Sequence, residues 1–214
     1  MPAEQALAAV LSDKSRFGQL LIQQTSAGGF VVCHRDDESA AHLKSFHRAE
    51  DAIEITRFDE AGKYRPLKTA PNLRRGWKLE VVDLGELRRA LDYFYPGRLA
   101  MFAARMEHHL VPTPLRETLG RQSGMYRIAA SISDEQIDEV VANTCRSDGG
   151  CLRTIVWKRD ARETAPSTKL PPEKLDLAYD QTGRGENAIP LLCQEICSLL
   201  LNECRKAVKG KQDE

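Results

Sequence analysis

Neither sign of charge is in excess in this 214-residue chain, where Lys+Arg and Asp+Glu stand at 31 each. Bulk charge therefore gives it no general hold on nucleic acid, and only local basic patches remain to be considered. Long apolar runs are also missing. No stretch approaches the ~20 residues that a membrane-spanning helix needs. The start, Met1-Pro2-Ala3-Glu4-Gln5, is acidic and no apolar segment follows it, so no targeting signal is visible and the expected compartment is the cytoplasm. There is no G-x-S-x-G elbow, no P-loop and no dinucleotide fingerprint, and no catalytic residue is expected. Internal repeats and low-complexity tracts are absent as well. Five histidines (His34, His42, His47, His108, His109) form no recognisable set. His108 and His109, adjacent on a helix, would point about 100° apart and chelate poorly together.

What is present is a globular composition, 42% hydrophobic and 29% charged, with length for one large domain or two small ones. Six cysteines stand out. In a reducing compartment, clustered cysteines are more often metal ligands or redox groups than a disulfide framework.

The first half reads as mixed α/β. Residues 19–24 and 30–33 are apolar, partly β-branched, and flank Thr25-Ser26-Ala27-Gly28-Gly29, which predicts a hairpin. Residues 49–58 carry a helical pattern, and 77–82 alternate as a strand. Asp83 is placed to cap a helix through Phe94, with Leu84, Leu87, Leu91 and Phe94 on one face. Tyr95-Pro96-Gly97 breaks the chain, and 98–110 reads as a second helix. Pro112 and Pro114 stop it and set a boundary near residue 111. Beyond that point a short helix is expected at 115–121. A longer one follows Ser133, with Gln136 completing a capping box, and runs to about Cys145. Residues 152–157 suit a short strand, and 159–188 a long polar surface loop. The last helix is expected to start at Pro190 and end near Lys209.

Four cysteines fall in two pairs, Cys145-x5-Cys151 and Cys193-x3-Cys197. Between the first two lies Arg146-Ser147-Asp148-Gly149-Gly150, a turn able to fold both sulfurs toward one point. The second pair, if helical, would sit on neighbouring turns, with Cys193 at the positive helix end that favours a thiolate. Four thiolates suit a [4Fe–4S] cluster, and they also suit tetrahedral zinc. Neither pair shows the C-x2-C spacing of a zinc ribbon. Spacing alone thus leaves iron–sulfur, zinc and simple packing open. Cys204 lies seven residues beyond Cys197 and is either a core thiol or a replacement ligand. Cys33, in a strand-like run, reads as packing.

Three further features stand beside the cysteines: Arg65–Trp77 (RPLKTAPNLRRGW); Tyr95-Pro96-Gly97 with Arg116-Glu117-Thr118-Leu119 and Arg121-Gln122-Ser123-Gly124-Met125-Tyr126; and Trp157 after the first cysteine pair with Leu191-Leu192 before the second. Together they resemble the C-terminal half of a multidomain family of sirohydrochlorin cobaltochelatase-like proteins. In that family chelatase-type domains are followed by a small stabilising domain and a [4Fe–4S] domain. The resemblance runs from about residue 16 to about residue 208. It implies a [4Fe–4S] cluster on Cys145, Cys151, Cys193 and Cys197, and a setting in tetrapyrrole or cobalamin biosynthesis. The family's α/β chelatase domains have no counterpart in these residues, so chelatase activity is not carried over.

The expected fold is α+β: a small mixed α/β scaffold over residues 1–110, then a mainly helical iron–sulfur domain over 111–214. The expected function is a redox or metal-handling accessory, moving single electrons for a separate chelatase-like or redox enzyme. An enzyme with a substrate-facing iron would need only three protein ligands. The alternative is a binding module with a structural iron–sulfur or zinc site. It would use the basic loop containing Arg65, Lys68, Arg74 and Arg75 to bind an acidic partner or a carboxylate-bearing ligand. A plainer reading of that loop, which we favour, has its arginines pairing with the acidic helix before it. Arg116, Arg121 and Arg127 either face the cluster or pair with Glu117 and Asp134. Oligomeric state is not legible.

Overall fold

A computed structural model describes residues 2–110, 113–145, 151–155 and 187–210. The chain divides into two compact units, one formed by Met1–Leu110 with Tyr179–Leu191, the other by Val111–Ala178 with Leu192–Glu214. The first is built on a sheet and the second mainly on helices, so the architecture is mixed α/β with its sheet toward the N-terminus.

In the first unit a helix, α1 (Ala3–Val10), precedes strands β1 (Arg16–Phe17), β2 (Leu20–Gln24) and β3 (Phe30–His34). The expected hairpin is β2–β3, antiparallel, with Leu20 opposite His34 and Gln24 opposite Phe30. Its turn closes through the Gly29 N–H, which donates to Thr25 Oγ1 at 3.1 Å. Strand β4 (Lys44–Phe46) and helix α2 (Asp51–Arg57) follow, then β5 (Trp77–Val81), α3 (Leu84–Phe94) and α4 (Arg98–Met106). The sheet order is β4-β5-β3-β2-β1 plus one strand from far along the chain, β7 (Ala188–Ile189), which pairs parallel to β1.

Helices α2 and α3 pack on β5, and α1 packs against α3 and α4. Asp83 caps α3 as its sequence suggests, Oδ1 accepting from the Glu86 N–H at 2.8 Å. That sets Leu87, Ala90, Leu91 and Phe94 on the buried face. Trp77 stacks on Phe94 with centroids 5.1 Å apart, and Phe17 meets Tyr95 edge-on at 5.4 Å. Each such buried ring contributes about 1.5–3 kcal/mol. The helix expected at 98–110 stops at Met106, and His108 turns to φ 58°. Gly18, at φ 62°, lies where a Cβ would come within 2.7 Å of the Tyr95 ring, so only glycine fits.

In the second unit, helices α5 (Leu115–Gly120), α6 (Tyr126–Ser131) and α7 (Asp134–Cys145) lead to a short strand, β6 (Thr154–Ile155). Strand β8 (Leu192–Cys193) pairs parallel to it, and α8 (Ser198–Lys209) packs along α7. The core includes Leu115, Leu119, Met125, Ile137, Val141, Leu200 and Val208. The capping box is present: Gln136 N–H donates to Ser133 Oγ at 3.3 Å, and Ser133 N–H to Gln136 Oε1 at 2.9 Å.

The last helix differs from expectation. It begins at Ser198 rather than Pro190, and the residues between belong to β8 and the turn after it. Pro190 and Leu191 separate β7 from β8. Of the loop expected at 159–188, only Asn187 and Ala188 are described: Asn187 lies in a turn and Ala188 is a strand residue. The turn at 146–150 and Trp157 lie outside the described residues.

Candidate metal centre

Three of the four paired cysteines stand at the end of an element. Cys145 is the last residue of α7 and is 6% exposed. Cys151 opens the segment leading into β6. Cys193 closes β8 and is 1% exposed. Cys197 is the N-cap of α8, with extended backbone and no side-chain hydrogen bond to the helix. The picture of Cys193 and Cys197 on adjacent turns of one helix is therefore corrected: one sulfur comes from a strand and the other from the cap. The helix end with its free N–H groups belongs to Cys197, not Cys193.

The four thiols share one electrostatic neighbourhood. Burial pushes the Cys145 thiol up to about 12, and the sulfurs of Cys151, Cys193 and Cys197 push it further the same way, with Arg153 acting against them. Among the described residues no three Cys, His, Asp or Glu side chains close up tightly enough to hold a single ion. A mononuclear zinc would draw its sulfurs to roughly 3.8 Å of one another, from Zn–S bonds of about 2.3 Å. A cubane carries each sulfur on its own iron and keeps them wider apart. Four soft donors in one electrostatic neighbourhood suit an iron–sulfur cluster by their chemistry.

Arg153 was not singled out in the sequence. Its side chain is 6% exposed, its Nε donates to Cys151 Sγ at 3.0 Å, and its Nη1 lies 3.6 Å from a Glu195 carboxylate oxygen. Burial alone would discourage its charge, but Cys193, Cys151 and Cys197 outweigh that and raise its pKa above the usual arginine range. A signal was available: an arginine two places after one of the paired cysteines, with the apolar run Ile155-Val156-Trp157 after Thr154. The backbone contributes too, the Glu195 N–H donating to Cys193 Sγ at 3.4 Å, while that thiol reaches Glu195 O at 3.8 Å.

Cys204 takes a different place. It is fully buried with Leu200 and Val208 on one stripe of α8, at spacings of four. Burial pushes its thiol up to about 11, with smaller effects from Glu203 and Cys197. Cys33 sits in β3, likewise pushed up to about 11, by burial first and then by Asp37 and Glu38.

The basic loop is committed internally. Arg65 is 2% exposed, and it donates from Nε to Asn72 Oδ1 at 2.9 Å and from Nη2 to the carbonyls of Lys68 and Ala70 at 3.0 and 2.9 Å. Lys68 Nζ donates to Thr56 O at 2.9 Å. Arg74 stands 3.7 Å from Glu54 in α2, and Arg75 bonds Glu60 at 2.6 Å. Arg74 and Arg75 line one surface pocket and Lys68 another, so the four are not gathered in one place. Arg116 holds the carbonyls of Ala129 and Ile132 and pairs with Asp134, while Arg121 pairs with Glu117 and Arg127 lies over Tyr126.

Comparison with known proteins gives these arrangements a context. Residues 3–106 match the family model of the DR2241 stabilising domain. Residues 107–206 match that of a 4Fe-4S iron-sulfur cluster binding domain. Among solved structures the chain is similar to DR2241 from Deinococcus radiodurans, whose 1.9 Å crystal structure is of a multi-domain protein with structural similarity to chelatases and two additional novel domains. The similarity covers 97% of this chain and 41% of that one, at 28% identity and a TM-score of 0.72. This chain thus spans about two fifths of the length of that protein. No curated protein matches it.

Proposed function

From a chain made of a DR2241-type stabilising domain followed by a [4Fe–4S] domain, we propose a redox or metal-handling accessory that serves a separate chelatase-like or oxidoreductase partner. The observation that supports it most is the shared neighbourhood of Cys145, Cys151, Cys193 and Cys197, with a buried cation beside them. These four thiolates would hold the cluster, which supplies one-electron chemistry when bound. Were all four sulfurs engaged, no iron would be left open to a substrate, and the protein would pass electrons rather than transform a molecule itself.

The chain's own residues prepare that role. Buried thiols limit solvent access, and the Arg153 guanidinium and Glu195 amide give the sulfurs hydrogen bonds. A cytoplasmic setting, where thiols stay reduced, would suit this role. Similarity to part of a chelatase-like protein supports work beside tetrapyrrole or cobalamin biosynthesis. The alternative, a binding module acting through its basic loop, draws less support, because Arg65 is turned inward and Arg74 and Arg75 face acidic partners.

Anaerobic purification or reconstitution should give about four iron and four sulfide per chain. Reduction should produce an electron paramagnetic resonance signal. Zinc in place of iron would refute the cluster. A cluster that no accessible potential reduces would refute the electron-transfer role. The partner is tested by metal insertion assays of a chelatase-type enzyme, with and without the reduced module; identical rates would refute an accessory role there.

A further inference from the structure

Resting on the cluster reading above, we infer that Arg153 and Glu195 form a charge pair that sets the reduction potential of the site. The geometry points to Arg153 as a positioning residue for Cys151 and a fixed positive charge beside the thiolates. Its side chain is 6% exposed, so water screens it little. Its Nε–H points at Cys151 Sγ from 3.0 Å. The other side of the guanidinium meets Glu195, which is 57% exposed and contributes its own backbone N–H to Cys193 Sγ. One short link of side chains thus joins a ligand of the first pair to the turn after a ligand of the second.

Placement decides the sign of each contribution. Reduction adds one electron from an external donor to the iron core; no bond to sulfur breaks and no proton moves. The site, already negative through four thiolates, becomes more so. A buried guanidinium bonded to one of those thiolates favours the added electron and raises the potential. Glu195, 3.6 Å from Arg153, offsets part of that positive charge and lowers the potential. The two residues therefore pull in opposite directions, which neutral packing groups would not do.

The test is an electron paramagnetic resonance-monitored redox titration of the anaerobically loaded full chain, with dithionite as the electron donor. Wild-type protein that takes up no iron would refute the cluster reading itself, before any variant is considered. With a loaded wild type, Arg153→Gln should shift the midpoint to more negative values. Arg153→Lys, which keeps the charge but not the planar donor set, should shift it less. Glu195→Gln should shift it to more positive values. Should Arg153→Gln fail to retain the cluster, Arg153→Lys and Glu195→Gln still decide the matter. An unchanged midpoint in Glu195→Gln, or shifts of the same sign in both positions, would overturn the inference.

Discussion

Two cysteines seven residues apart, one capping the last helix and one within it, differ in their surroundings. Cys197 caps α8 with a side chain that makes no capping bond, whereas Cys204 lies on the core stripe with Leu200 and Val208. Cys197→Ala, like Cys193→Ala, should therefore abolish the cluster, seen as lost iron, sulfide and visible absorbance. Cys204→Ala should keep full iron and sulfide content while costing about 1 kcal/mol in denaturant unfolding, the effect of a small core cavity. Another residue-level prediction concerns His34, which is 1% exposed in β3. Burial lowers its pKa below 6.5, against the opposing pull of Asp36 and Asp37. The unfolded chain then binds the proton more readily. The stability His34 contributes is full above pH 6.5 and is lost as pH falls toward its depressed folded value. Unfolding midpoints measured from pH 7.5 downward should fall through that range, and His34→Gln should flatten the dependence. Residue types were the most legible level of the sequence. Spacing and the character of their flanks mark the four thiols, whereas the helical register of Cys204 leaves it as either a core thiol or a replacement ligand. The meaning of Arg153 is hidden in the sequence because it depends on Cys193 and Glu195, some forty residues away.

At the scale of elements, what could be read depended on whether the signal was local. Asp83 and the Ser133–Gln136 box act within one turn, and both helices begin where those caps place them. The Thr25–Gly29 turn likewise declared its hairpin. Pro190 misled for the same reason that local rules work. It suits a first helical turn, but Leu192 and Cys193 are taken by β6, and Ala188 and Ile189 by β1, pairings made across long stretches of chain. Helix α1 went unread because Ala6 and Leu7, both fully buried, give too short an apolar pattern. The capping box offers a test at this level, since α7 ends on Cys145. Ser133→Ala should cost about 1 kcal/mol of stability. It should also speed cluster loss on exposure to chelator, because fraying α7 loosens one of its ligands. Unchanged loss kinetics alongside lowered stability would show that the cap supports the helix without supporting the site.

For the whole molecule, the proposed cluster would add a cross-link to segments that already meet through α7 against α8 and β6 beside β8. Cys145 ends α7, Cys151 precedes β6, Cys193 lies in β8 and Cys197 starts α8. β6 and β8 are two residues each, too short to persist on backbone hydrogen bonds alone. Binding to the folded arrangement and not to the unfolded chain adds stability by mass action. Removing the iron should therefore destabilise the second unit selectively. Hydrogen–deuterium exchange of loaded and iron-free protein should show lost protection at β6, at β8, and at the last turn of α7 and first turn of α8. The β2–β3 hairpin, held by five register pairs and with Leu20, Leu21, Ile22, Val32 and Cys33 buried, should exchange alike in both forms. Strand β7 is the informative exception. It completes the first sheet, yet its chain continues through Pro190 and Leu191 into β8, so loosening β8 should loosen Ala188 and Ile189 as well. Protection lost at β7 but not at β2–β3 would place the effect on the covalent continuation. Equal loss across the whole sheet would show instead that the iron-free chain unfolds as one body, and that the first unit does not hold its fold without the second.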